Sequence, residues 1–111
     1  MVDFPTETKP RRLVTIRRHV PPDRIPEYAE LWMVLHRAAT ARGAHAWWFA
    51  SASHRDVYIE FLEFGEDSDP RGDEAVVGAI RELSARFNEL YPPPLPLEEW
   101  VALPLPPAVA E

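Results

Sequence analysis

Glu60 is the residue best suited to proton chemistry in this sequence. It interrupts the apolar run Val57-Tyr58-Ile59-Glu60-Phe61-Leu62, where a carboxylate is out of place unless it has work or a partner. Walled by Trp48, Tyr58 and Leu62, Glu60 would be desolvated and would act as a general base. The competing reading is a buried ion pair with Arg17, which sets strand register and does no chemistry. Arg17 and His19 together would suit an anionic or carbonyl group, with His19 as the acid or base. The opposing reading leaves His19 at the solvated rim, since Pro21 follows closely. Trp47 and Trp48 are adjacent and must face opposite ways. One belongs to a core and the other serves as a flat wall for an aromatic ligand; the competing reading has both fill space at a dimer interface.

These residues need a sheet to hold them. Ala44 to Phe64 reads as two strands folded around the polar break Ser51-Ala52-Ser53-His54-Arg55-Asp56. A hairpin centred on His54 sets Trp48 opposite Glu60 and Ala50 opposite Tyr58. Ala46, Trp48, Ala50, Tyr58, Glu60 and Leu62 then share one face, the expected binding face. His45, Trp47, Phe49, Val57, Ile59 and Phe61 share the other, which is expected under helices. Leu13–Val20 forms a first strand, with Val14, Ile16 and Val20 on one face and Thr15, Arg17 and His19 on the open one.

Two helical periods accompany the strands. Ile25, Tyr28, Ala29, Trp32, Leu35, His36 and Ala39 make an apolar stripe on a helix expected from Arg24 to Arg42. Asp23 is its expected N-cap, and Gly43 its left-handed closing residue. A second helix is expected from Asp73 to Tyr91, buried through Val76, Val77, Ile80, Leu83, Ser84, Phe87, Leu90 and Tyr91. An acidic loop, 65–72, precedes it. Pro92-Pro93-Pro94 and Pro96 end the helix, and Glu99–Leu103 makes a last strand.

Strand, helix, strand, strand, helix, strand is an α+β order. A crossover through the first helix places the first strand beside the third, in a ferredoxin-like βαββαβ sheet with two helices on one face. The domain is expected over 13–104, with loose tails at 1–12 and 105–111. Two helices cover one side only, so an aromatic side carrying Trp48, Tyr58 and Leu62 needs a second cover. Another copy of the chain, related by two-fold symmetry, is the economical one.

Composition narrows the partners. A net charge of -6 argues against a nucleic-acid binder, and the absence of cysteine excludes disulfides, thiolate metal sites and a cysteine nucleophile. No apolar run approaches membrane-spanning length, and MVDFPTETKPRR lacks the apolar core of a signal peptide, so a cytoplasmic protein is expected. His19, His36, His45 and His54 are dispersed without paired spacing, which disfavours a metal site. A glycine-rich phosphate loop and a nucleophile elbow are both missing. No cofactor is expected.

From Leu13 to Leu103 the chain resembles the dimeric α+β barrel superfamily, which includes the antibiotic-biosynthesis monooxygenase-like and stress-responsive barrel families. The element order carries the likeness. So do the helix closing at Arg42-Gly43-Ala44 and the strand Val57–Phe64 followed by Glu66-Asp67. The resemblance implies a homodimer whose two sheets form a barrel with a ligand cavity in each half. It also implies a choice among cofactor-independent oxygenases acting on aromatic polyketides, isomerases, haem-degrading enzymes and proteins without known activity, which fold alone does not make. Haem-degrading relatives take their axial histidine from the second helix, and Asp73–Tyr91 contains none. The leading expectation is a homodimer that binds a small apolar or aromatic molecule and acts as a monooxygenase-like or isomerase-like enzyme. Its rival is a non-catalytic dimeric module with a filled interior.

Overall fold

The computed structural model describes residues 10–87 and 97–103. The chain runs β1 (Arg11–His19), α1 (Ile25–Ala41), β2 (His45–Ala50), β3 (Val57–Gly65), α2 (Glu74–Phe87) and β4 (Leu97–Val101). The four strands form one antiparallel sheet in the order β2-β3-β1-β4, so β1 lies beside β3 as the ferredoxin-like reading requires. Arg11 and Arg12, expected in the N-terminal tail, open β1, and β4 starts two residues earlier than expected. Tail residues 1–9 and 105–111, Leu90, Tyr91 and the proline link that follows them lie outside the described residues.

The hairpin forms in the expected register. Trp48 is opposite Glu60 and Ala50 opposite Tyr58. Its turn is held by Ser51, whose Oγ accepts from the backbone N–H of Ser53 (3.2 Å) and His54 (2.9 Å). Asp56 completes the reversal at φ 66°, a conformation that aspartate tolerates better than most residues.

A 3-10 turn over Pro22–Arg24 leads into α1, and the N-cap is Arg24 without a side-chain cap, not Asp23. Asp23 is consumed by that preceding turn. Gly43 does close α1, at φ 86°. At α2, the Asp73 carboxylate accepts from the backbone N–H of Ala75 (3.1 Å) and Val76 (3.3 Å), which satisfies two otherwise orphaned donors.

Both helices lie on one side of the sheet. Tyr28, Trp32, Leu35 and Ala39 of α1 pack with Val76, Ala79, Leu83 and Phe87 of α2 over Val14, Ala46, Leu62 and Phe64. At the far edge Arg12 of β1 reaches Glu99 of β4 (3.6 Å) and Glu66 after β3 (2.8 Å), and Arg71 in the loop before α2 also reaches Glu99, at 3.3 Å.

Candidate functional site

Glu60 lies on the helix-covered face, 2 % exposed, and its partner is Arg18. Arg18 is fully buried; its Nε donates to Glu60 Oε2 at 2.8 Å and its Nη2 to Oε1 at 3.3 Å. The Tyr28 hydroxyl on α1 donates to Oε2 at 2.8 Å, and Arg18 Nη1 reaches Ser84 Oγ on α2 at 3.2 Å. One carboxylate thus gathers β1, β3 and α1, and its arginine adds α2. Register explains the partner: Ile16 is opposite Glu60 and Arg18 opposite Tyr58, so Arg18 is its diagonal neighbour on the same face. Arg17 points the other way. The ion-pair reading of Glu60 is therefore the observed geometry, with Arg18 in the place expected of Arg17.

Burial raises the Tyr28 phenol well above its ordinary range, and the Glu60 carboxylate raises it further. The native state then keeps a proton that the unfolded chain releases near pH 10, so stability falls as pH rises through that point. Alkaline titration followed by tyrosine ultraviolet absorbance should show one tyrosine ionising only as the fold is lost.

The expected wall residues share Glu60's face and are built into the packing. Trp48 stacks on Trp32 with ring centroids 5.6 Å apart and planes 15° from parallel, and Tyr28 lies 5.2 Å from Trp48 and 5.5 Å from Tyr58. Leu62 is buried beside them. Arg17 and His19 lie opposite Ile59 and Val57, on the other side of the sheet. The thickness of the sheet separates them from Glu60, so the three proposed catalytic groups do not share one cavity.

This reverses the expected sides of the hairpin. The helices cover the face with Glu60, and the open face carries Trp47, Phe49, Val57, Ile59 and Phe61. The reason lies in β1. Val14, Ile16 and Val20 belong under helices, and pairing places them on the Leu62–Glu60 side, where Arg18 neutralises the carboxylate. The small Ala46 leaves room for α1. Arg18, lying on the same strand face as Ile16 and Val20, is the signal in the sequence for both the partner and the side.

The open face is strongly aromatic. Trp47, Phe49 and Trp100 are each about half exposed, at 48 %, 53 % and 52 %. Phe49 meets Phe61 edge-on at 5.6 Å, and Trp100 Nε1 donates to Thr15 Oγ1 at 3.3 Å. Around the edge of β2 lies a recess of about 270 Å³ lined by Trp32, Met33, His36, Ala46, Trp47, Trp48 and Phe49. Trp48 is the one expected ligand-wall residue that borders it. A second recess, about 310 Å³, sits where the hairpin loop meets Arg17, Val57 and Ile59.

At the far end of the open face the His45 Nδ1 lies 2.9 Å from Glu63 Oε1, and Arg11 Nε donates to Glu63 Oε2 at 2.6 Å. The Arg11 guanidinium holds the Glu63 carboxyl below the usual carboxylate range against the opposing effect of burial, with His45 adding to the lowering. The imidazole ring is 5.6 Å from Trp47.

Among the described residues, no group of three or more histidines and carboxylates is arranged to hold a metal ion, and no helix is long and apolar enough to cross a membrane. No family model matches the chain, and no curated protein matches it in sequence. Solved structures do match in shape. A conserved protein from Bacteroides thetaiotaomicron, described as a possible oxidoreductase, superposes with a TM-score of 0.67 at 11 % identity, over 85 % of this chain and 99 % of its own. A protein from Nitrosomonas europaea, assigned provisionally as an antibiotic biosynthesis monooxygenase, gives 0.61 at 10 % identity, covering 94 % and 98 %. Rv0793 from Mycobacterium tuberculosis gives 0.59 at 16 % identity, covering 90 % and 99 %. The chain therefore carries a ferredoxin-like α+β fold, which it shares with these structures.

Proposed function

We propose that this protein is a homodimer that binds a small, largely apolar or aromatic molecule in the recess at the edge of β2, with the open sheet faces of two copies turned toward each other. The observation that carries the reading is the half-exposed aromatic surface of Trp47, Phe49 and Trp100, continuous at Trp47 and Phe49 with that recess. Exposed aromatic side chains at both edges of one sheet face, on β2 and β4, suit a site of association or ligand binding. A second copy would bury it under a two-fold axis. The descriptions of two structural neighbours make a monooxygenase-like oxidation the first activity to assay. The rival, a non-catalytic dimeric module, draws on the packed side chains around Glu60.

Calorimetric titration with 4-nitroanisole tests the ligand site. Met33 is 39 % exposed at the recess and outside the core, so Met33→Glu should leave the fold intact and weaken binding about tenfold, the cost of setting a charge against an apolar ligand. Unchanged affinity would place the ligand elsewhere or nowhere.

A further inference from the structure

We propose that Glu63 and His45 form a proton-transfer pair serving the β2-edge recess, and that the molecule bound there is an aromatic compound with an ionisable hydroxyl, such as a phenol. The inference rests on the ligand reading above and names the chemistry of that same site.

Three observations carry it. The first is orientation. An ionised carboxylate only accepts hydrogen bonds, so the 2.9 Å contact between Glu63 Oε1 and His45 Nδ1 places the ring proton on Nδ1 and leaves the Nε2 lone pair as the proton acceptor. The second is the charge on Glu63. Arg11 binds its other oxygen at 2.6 Å and favours the ionised carboxylate, so Glu63 stays a hydrogen-bond acceptor that orients the imidazole. The third is place. His45 and Trp47 are on the same face of β2 with rings 5.6 Å apart, and Trp47 is also a wall of the recess. His45 stands just outside the recess lining, so a ring laid against Trp47 meets the imidazole when its hydroxyl is turned along β2 toward that residue.

The transfer is simple to balance. The O–H bond of the bound phenol breaks, an Nε2–H bond forms, and the products are a phenolate and an imidazolium paired with Glu63. Beside the pair stand Arg11 from β1, bound to Glu63, and His36 of α1 at the recess.

The test compares 4-nitrophenol with 4-nitroanisole, which has the same ring and no ionisable proton. Nitrophenolate absorbance of the bound probe, followed against pH, should report an ionisation roughly one unit below that of the free probe, as expected for a new opposite charge within a few ångströms. His45→Gln should abolish the displacement while 4-nitroanisole still binds, and Glu63→Gln should leave an intermediate one. A displacement that persists in His45→Gln overturns the inference. Failure of 4-nitroanisole to bind the wild-type protein removes the ligand reading itself, and this inference with it. Independently of any ligand, long-range proton–nitrogen spectra should show the neutral His45 ring protonated at Nδ1; an Nε2–H ring would overturn the pair.

Discussion

Glu60→Gln should cost about 3–5 kcal/mol of folding free energy, because it removes the charge of the carboxylate that the buried Arg18 guanidinium pairs with. The side chains are 0 % and 2 % exposed, so water cannot replace the lost partner. Tyr28 also loses a carboxylate acceptor. The pair as a whole is a different matter. Desolvating two ions offsets much of their attraction, so Glu60→Leu combined with Arg18→Met should recover most of the stability lost in either single variant. Urea unfolding of the two single variants and the double variant measures this directly. Near-normal stability in Glu60→Gln, together with lost turnover of an identified substrate, would return Glu60 to the role of base.

Phe61→Lys should separate the subunits of the proposed dimer. Phe61 lies in the middle of the open face, against Phe49, and is not part of the helix-covered core. A charged amine at the centre of an apolar interface should weaken association by at least about 30-fold, corresponding to roughly 2 kcal/mol for a residue of this kind. The lysine stem can lie along the sheet with its amine in water, so the single subunit should keep its fold. Sedimentation velocity across a concentration series reads the shift, and circular dichroism checks the fold. A wild-type protein that sediments as a single subunit at every concentration would refute the dimer.

Much of this architecture is legible in the sequence. The hairpin register followed from the symmetric turn around His54, and Gly43 could be read as a helix terminator because only a left-handed residue fits there. The side of the sheet on which the helices sit was not legible from the hairpin. Both of its faces are rich in aromatics, so hydrophobicity alone points to the wrong one. The deciding information lay in β1, where Arg18 shares a face with Ile16 and Val20. A lone arginine in an apolar stripe looks like a solvent-facing position until a carboxylate is found for it. Asp23 failed as a cap because the prolines at 21 and 22 set up a separate short turn first. The pairing of His45 with Glu63 across the hairpin follows from the same register, at the end of the hairpin away from its turn.

The cluster around Glu60 also bears on the order in which the molecule assembles. Its contacts join positions 32, 42 and 66 residues apart in the chain. Closing such long loops before any reward is slow, whereas the β2–β3 hairpin closes over a six-residue turn from 51 to 56. The polar cluster is then among the last contacts to consolidate. Interactions formed after the rate-limiting barrier act chiefly on the rate of opening, so this carboxylate would govern how long the native state survives more than how fast it is reached.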